Sequence, residues 1–162
     1  MDDHPYPRSL SHLGITVPEV SEAAQWYVDV FGFDVVRGPL TATRDDSTAW
    51  ARTTDLVGEI KSITVAYLAT GSSVGIELLS FDDPVECDLG PVRTGLSHLS
   101  VVDPDIEDLA ARIADRGGTH DSDIWELGDT GEYVTYTRDP YDNPIEIYTQ
   151  GFERIHTRRA LG

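Results

Sequence analysis

SHLGITVPEV occupies residues 11–20, and SHLSVVDPDI occupies residues 97–106. Both open Ser-His-Leu, run on into β-branched residues and reach a proline seven positions after the serine. Superposing the two stretches aligns His12 with His98, Pro18 with Pro104, Val20 with Ile106, Ala24 with Ala110 and Gly32 with Gly118. A strand, a proline-marked turn, a helix and a glycine stop thus recur in one order, the signature of an internal repeat.

Residues 11–17 and 97–102 are short and β-branched, as strands should be. Val20, Ala24, Tyr27 and Phe31 recur at helical spacing, as do Ile106, Leu109, Ala110 and Ile113. Asp103 and Pro104 predict an N-cap and first helical residue, and Gly117-Gly118 a helix stop. Further strands follow each helix: 60–69 with 74–81 around Thr70-Gly71-Ser72-Ser73, and 132–138 with 144–149 around Asp139–Asn143. Tyr67 precedes Glu77 by ten residues, and Tyr136 precedes Glu146 by ten. The expected fold class is α+β, with two tandem βαβββ modules in one domain over residues 1–162. Module one covers about 10–82 and module two about 96–150, with 1–9 and 151–162 as tails. Module one carries its extra length within 37–60, a polar segment without clear periodicity and a candidate lid or substrate loop.

The bulk properties narrow the function. A 40% hydrophobic chain is globular, and no segment approaches the roughly 20 apolar residues of a membrane span. The N-terminal residues show no secretory pattern, and the single cysteine, Cys87, fits a reducing cytoplasm. A net charge of −17, with one lysine beside eleven arginines, repels phosphate backbones and anionic lipids. A small-molecule substrate is expected, and neither nucleic acid nor a membrane. Arg37, Arg44 and Arg52, in or beside the long loop, are the cations available to an anionic substrate.

Strand alternation puts Leu13, Ile15 and Val17 in one row, with His12, Gly14 and Thr16 in the other. Ile76 and Leu78 likewise oppose Glu77, and Ile145 and Ile147 oppose Glu146. A carboxylate on such a strand is costly unless neutralised. Two histidines and two glutamates at duplicated positions suggest a divalent cation held by mixed N/O ligation, which suits Zn, Fe, Mn, Co or Ni. His4, His120 and His156 match no ligand position and are expected in tails or loops.

These features resemble the vicinal oxygen chelate superfamily, the glyoxalase I, extradiol dioxygenase and methylmalonyl-CoA epimerase group. GLSHLSVVDPDIEDLAARIADRGG at 95–118 and YTRDPYDNPIEIY at 136–148 carry the most specific likeness. The resemblance implies paired modules whose sheet curls around a metal, with ligands on His12, Glu77, His98 and Glu146, and a homodimer. Where the family's turn has glycine, this chain has Asp142, a residue that tolerates such turns.

Three activities fit the resemblance. One is a glyoxalase-like isomerase, lyase or epimerase that moves a proton next to a carbonyl through a metal-stabilised enediolate, with Glu77 and Glu146 as bases. Another is an extradiol ring-cleaving dioxygenase using His12, His98 and Glu146, with Tyr136 at the catalytic tyrosine position. The third is a non-catalytic binding protein of the resistance type. Glu77 favours the first, because ring cleavage requires no fourth protein ligand. Trp50, Arg52, Tyr67, Phe81 and Trp125 are the candidate substrate contacts.

Overall fold

The computed structural model describes residues 8–44, 60–82, 95–129 and 131–159. The chain divides into two compact units, Met1–Val85 and Glu86–Gly162. The expected repeat therefore appears as two separate units, each with its own sheet.

In module one, β1 (His12–Thr16), α1 (Val20–Phe31), β2 (Asp34–Thr43), β3 (Ser62–Ala69) and β4 (Gly75–Phe81) follow the βαβββ order. Its sheet runs β1-β4-β3-β2, with β1 parallel to β4 and the other pairs antiparallel. Alternation governs which side chains are buried. Ile76, Leu78, Ala66 and Leu68 form an apolar face, and Val20, Ala23, Ala24, Tyr27 and Val30 bury one side of α1. The helix begins at Glu19, whose side chain accepts from the Ser21 amide, and ends at Gly32 in the left-handed region, φ 68°. Trp26 is buried as well, and Phe31 is only half-buried, which turns the helix face slightly from the expected one.

Module two repeats this plan with one addition. β5 (Leu99–Val102) and α2 (Ile106–Asp115) precede two short strands, β6 (Thr119–His120) and β7 (Trp125–Glu126), both paired with β8 (Tyr133–Arg138). β9 (Pro144–Tyr148) lies between β5 and β8. Ile106, Leu109, Ala110 and Ile113 are all buried, as their spacing predicts. The N-cap is Asp105 rather than Asp103. The Asp105 side chain accepts from the Asp108 amide, while Asp103 accepts from the Asp105 amide and shapes the turn before it. Gly118 is required by space: a Cβ there would stand 2.3 Å from the Arg138 carbonyl oxygen and 2.7 Å from Ile113.

Three expectations need correction. The segment from 37 is not a loop throughout, because β2 continues to Thr43, with register shifts on both sides of Arg37. The rest of the candidate lid, residues 45–59, lies outside the described residues. The segment after β9 is not an unstructured tail but holds α3 (Phe152–Arg159), whose Ile155 is buried and whose Arg154 pairs with the buried Glu132 at 2.9 Å. His120 is on a strand, with Nε2 2.8 Å from Thr135 Oγ1, and His156 is on α3. His4 lies outside the described residues. Asp142 does adopt a positive φ of 69°, in the place where the family's turn has glycine. Among the described residues, no helix is long and apolar enough to cross a membrane.

Candidate metal centre

Each module brings one histidine to one glutamate. In module one, parallel pairing sets His12 opposite Gly75 and Gly14 opposite Glu77, so the two functional side chains share a face two residues apart. His12 Nε2 then lies 3.5 Å from Glu77 Oε2. In module two the same register sets Ser100 opposite Glu146, and His98 Nε2 lies 3.2 Å from Glu146 Oε2.

These separations fit a shared cation. Ligands about 2.1 Å from an ion stand roughly 3.0 Å apart at a right angle and about 3.4 Å apart at the tetrahedral angle. An imidazole lone pair facing a carboxylate oxygen at such a distance repels it unless a proton or a cation lies between. The donor set is therefore suitable, two ligands per module. Within module one His12 and Glu77 form one such pair, and within module two His98 and Glu146 form another.

The neighbouring side chains repeat too. Ser11 Oγ lies 3.3 Å from His12 Nδ1, and Ser97 Oγ lies 2.9 Å from His98 Nδ1. When Nδ1 carries the proton and donates it to serine, Nε2 keeps its lone pair for an ion. On the other side, Tyr136 donates its hydroxyl to Glu146 Oε1 at 2.6 Å, leaving Oε2 toward His98. Tyr67 likewise hydrogen-bonds Glu77 from directly across β3 and β4. Each module thus holds a file of serine, histidine, glutamate and tyrosine. The tyrosines were expected by their spacing; the serines were not, although the repeated Ser-His dipeptide carried the signal.

The tyrosines report this environment. The bond to Glu146, then burial, push the Tyr136 hydroxyl up to about 12. Burial raises Tyr67, with the charge and hydrogen bond of Glu77 adding to the effect and Arg37 opposing it. The two glutamates differ in access, their side chains being 15% exposed at Glu77 and 7% at Glu146.

The predicted substrate contacts are partly together. Tyr67 and His12 line a cleft of about 470 Å³ in module one. Phe81 is half-buried at the end of β4, opposite Ile63, and does not line that cleft. Trp125 is exposed, its ring centroid 6.0 Å from that of Tyr136. Trp50 and Arg52 lie outside the described residues.

Residues 9–147 match the Glyoxalase/Bleomycin resistance protein/Dioxygenase superfamily. The chain belongs to that superfamily. A Bacillus subtilis (strain 168) relative, the uncharacterized protein YwkD, is 26% identical over 143 residues, 88% of this chain and 98% of the relative. A glyoxalase family protein from Bacillus cereus shares the fold with a TM-score of 0.71 at 16% identity, over 91% of this chain and 97% of the other. Glyoxalase I from Zea mays does so at 0.62 and 18% identity, covering 88% of this chain and 44% of the maize one. Superfamily members commonly bind a divalent metal.

Proposed function

We propose that His12, Glu77, His98 and Glu146 ligate one divalent cation, and that the protein is a glyoxalase-like isomerase, lyase or epimerase. The observation that carries this is the His12–Glu77 pair. Glu77 stands at ligand distance from its histidine just as Glu146 does from His98. A ring-cleaving site needs only two histidines and one carboxylate with open positions. A fourth donor suits proton transfer instead.

When bound, the ion would polarise two adjacent substrate oxygens and so acidify the C–H bond beside a carbonyl. This chain's own residues divide the remaining work. Glu77 takes the proton from carbon and returns it, because it is the more accessible of the two carboxylates. Glu146 is the fixed ligand, since it is the more deeply buried carboxylate and Tyr136 holds its other oxygen at 2.6 Å. Tyr136 accordingly acts as a positioning residue. Its hydroxyl, committed to Glu146 and pushed up to about 12, stays protonated at neutral pH and is poorly suited to receive a proton from a catechol. A cytoplasmic homodimer is part of the same proposal, supported by the family likeness and the lone Cys87.

The test is metal analysis of the purified protein, followed by solvent-deuterium exchange into 2-hydroxy and 2-oxo carbonyl compounds. Exchange without O₂ uptake is the expected result, falling about 10²- to 10⁴-fold in Glu77→Gln. Consumption of O₂ with a catechol would assign the protein to ring cleavage instead.

A further inference from the structure

The cleft beside His12 carries a positive charge that the metal site does not use. Strand pairing lines up Gly14, Glu77, Tyr67 and Arg37 across all four strands of module one, so these residues share the face that bears His12. Arg37 lines the cleft with Ser11, His12, Tyr67 and the hairpin serines Ser72 and Ser73.

Three other described arginines are paired with carboxylates. Arg112 is paired with Asp108, Arg138 with Asp121 and Asp142, and Arg154 with Glu132. Among the described residues, no carboxylate is paired with Arg37. In a chain with 29 acidic and 12 basic side chains, an arginine at a cleft that pairs with no described carboxylate is well suited to an anion from outside. The matching place in module two shows the contrast. There Asp121 donates its amide to the Tyr136 carbonyl, and its carboxylate holds Arg138 at 2.6 Å. The cation is therefore a feature of one module and not of the repeat.

We propose that Arg37 is an anion subsite, binding a carboxylate or phosphonate on the substrate while the reacting oxygens lie toward His12 and Glu77. Two strand spacings separate Arg37 from Glu77, roughly 10 Å between backbones. The anion then belongs a few bonds from the reacting carbon, and the substrate is a small acid. Ser73 also lines the cleft, where its hydroxyl can supplement the guanidinium. Ser72 is already engaged with Thr70 and the Val74 amide.

The placing of the reacting oxygens rests on the metal reading, but the anion contact does not, and the experiment separates the two. Metal-free protein is titrated with methylphosphonate and, in parallel, acetate, following the Arg37 side-chain resonance by NMR. Saturable binding of either anion is expected, weakened about tenfold or more in Arg37→Gln and partly kept in Arg37→Lys. The tighter of the two identifies the anion. Absence of saturable binding, or equal binding by wild type and Arg37→Gln, would overturn the subsite. The Mn²⁺-loaded protein is then titrated with acetohydroxamate, a chelator with vicinal oxygens and no phosphonate, and with phosphonoacetohydroxamate. The phosphonate is expected to add about tenfold in affinity in wild type and none in Arg37→Gln, with acetohydroxamate unchanged. An undiminished preference in Arg37→Gln would overturn the subsite and leave the metal reading intact. Failure to take up Mn²⁺ or bind acetohydroxamate would count against the metal reading, while the metal-free titration still decides Arg37.

Discussion

The two modules hold the same file of serine, histidine, glutamate and tyrosine, yet they surround it differently. In module two the glutamate is more deeply buried, tyrosine clamps one of its oxygens at 2.6 Å, and the serine is 2.9 Å from the imidazole. In module one the glutamate is more open, the serine contact is 3.3 Å, and the row ends in an arginine at a cleft. The four residue types are duplicated, but the closeness of their contacts and their burial are not. On the proposed metal reading one copy holds still and the other responds, a division that two identical copies could not provide.

The largest effect that would break this comparison comes from amides at the two glutamates. In Glu146→Gln, the carbonyl oxygen is the atom able to accept from Tyr136, which turns the NH₂ toward His98. An NH₂ group cannot ligate, so metal affinity should fall by about a hundredfold or more. In Glu77→Gln Tyr67 makes the same demand on the amide, but the more exposed side chain has room to turn, so metal affinity should fall about tenfold or less while proton exchange is lost. Titration with a metallochromic competitor reads both. Equal losses of metal would mean that the modules are equivalent as ligands.

The helix stops sharpen the same contrast in stability. Gly32 and Gly118 align in the repeat, but they are glycine for different reasons. A Cβ at Gly32 meets nothing within 4 Å, and only its φ of 68° opposes alanine, a cost of about 1 kcal/mol. At Gly118 the added carbon runs into a carbonyl oxygen and Ile113, so Gly118→Ala should cost about 3 kcal/mol. Urea midpoints with unchanged slopes would record the two values.

A smaller difference should appear at high pH. Tyr136 titrates near 12 in the folded protein instead of 10, so its contribution to stability is complete below pH 10 and is lost as pH rises toward 12. Tyr136→Phe should remove that loss and flatten the stability curve between those values. Tyr67→Phe should flatten it less, since Arg37 opposes the rise there. Absorbance of tyrosinate, followed with pH in each variant, assigns the late transition.

Much of this was legible in the sequence because repetition made weak signals strong. One histidine on a strand says little, but His12 and His98 with Glu77 and Glu146 at matched places point to one duplicated set of four, of which the structure shows each histidine beside the glutamate of its own module. The burial of Ile106, Leu109, Ala110 and Ile113 follows directly from spacing. The features that escaped lack a period. β2 passes through Gly38-Pro39 with shifted register, so Arg37 looked like the start of a loop rather than part of a row. α3 buries Ile155 and relies on the Arg154–Glu132 pair, which leaves no apolar stripe to read. Asp105 replaced Asp103 as the cap because the two aspartates, two residues apart, act in succession and either suits an N-cap by type.

The smallest expected effect concerns the serines that open both copies of the quoted stretch. A serine beside Nδ1 fixes the ring's tautomer and orientation, and such support to a ligand is worth up to about tenfold in metal affinity when the site is partly open. Ser97 at 2.9 Å makes a full hydrogen bond, whereas Ser11 at 3.3 Å makes a weak one. Ser97→Ala should therefore weaken metal binding about fivefold to tenfold, and Ser11→Ala about twofold. Ser97→Thr keeps the hydroxyl and should restore affinity, which separates hydrogen bonding from a general loosening of the loop before β5. A larger loss from Ser11→Ala than from Ser97→Ala would reverse the assignment of the firmer support to module two. The fixed half would then have to be sought in module one.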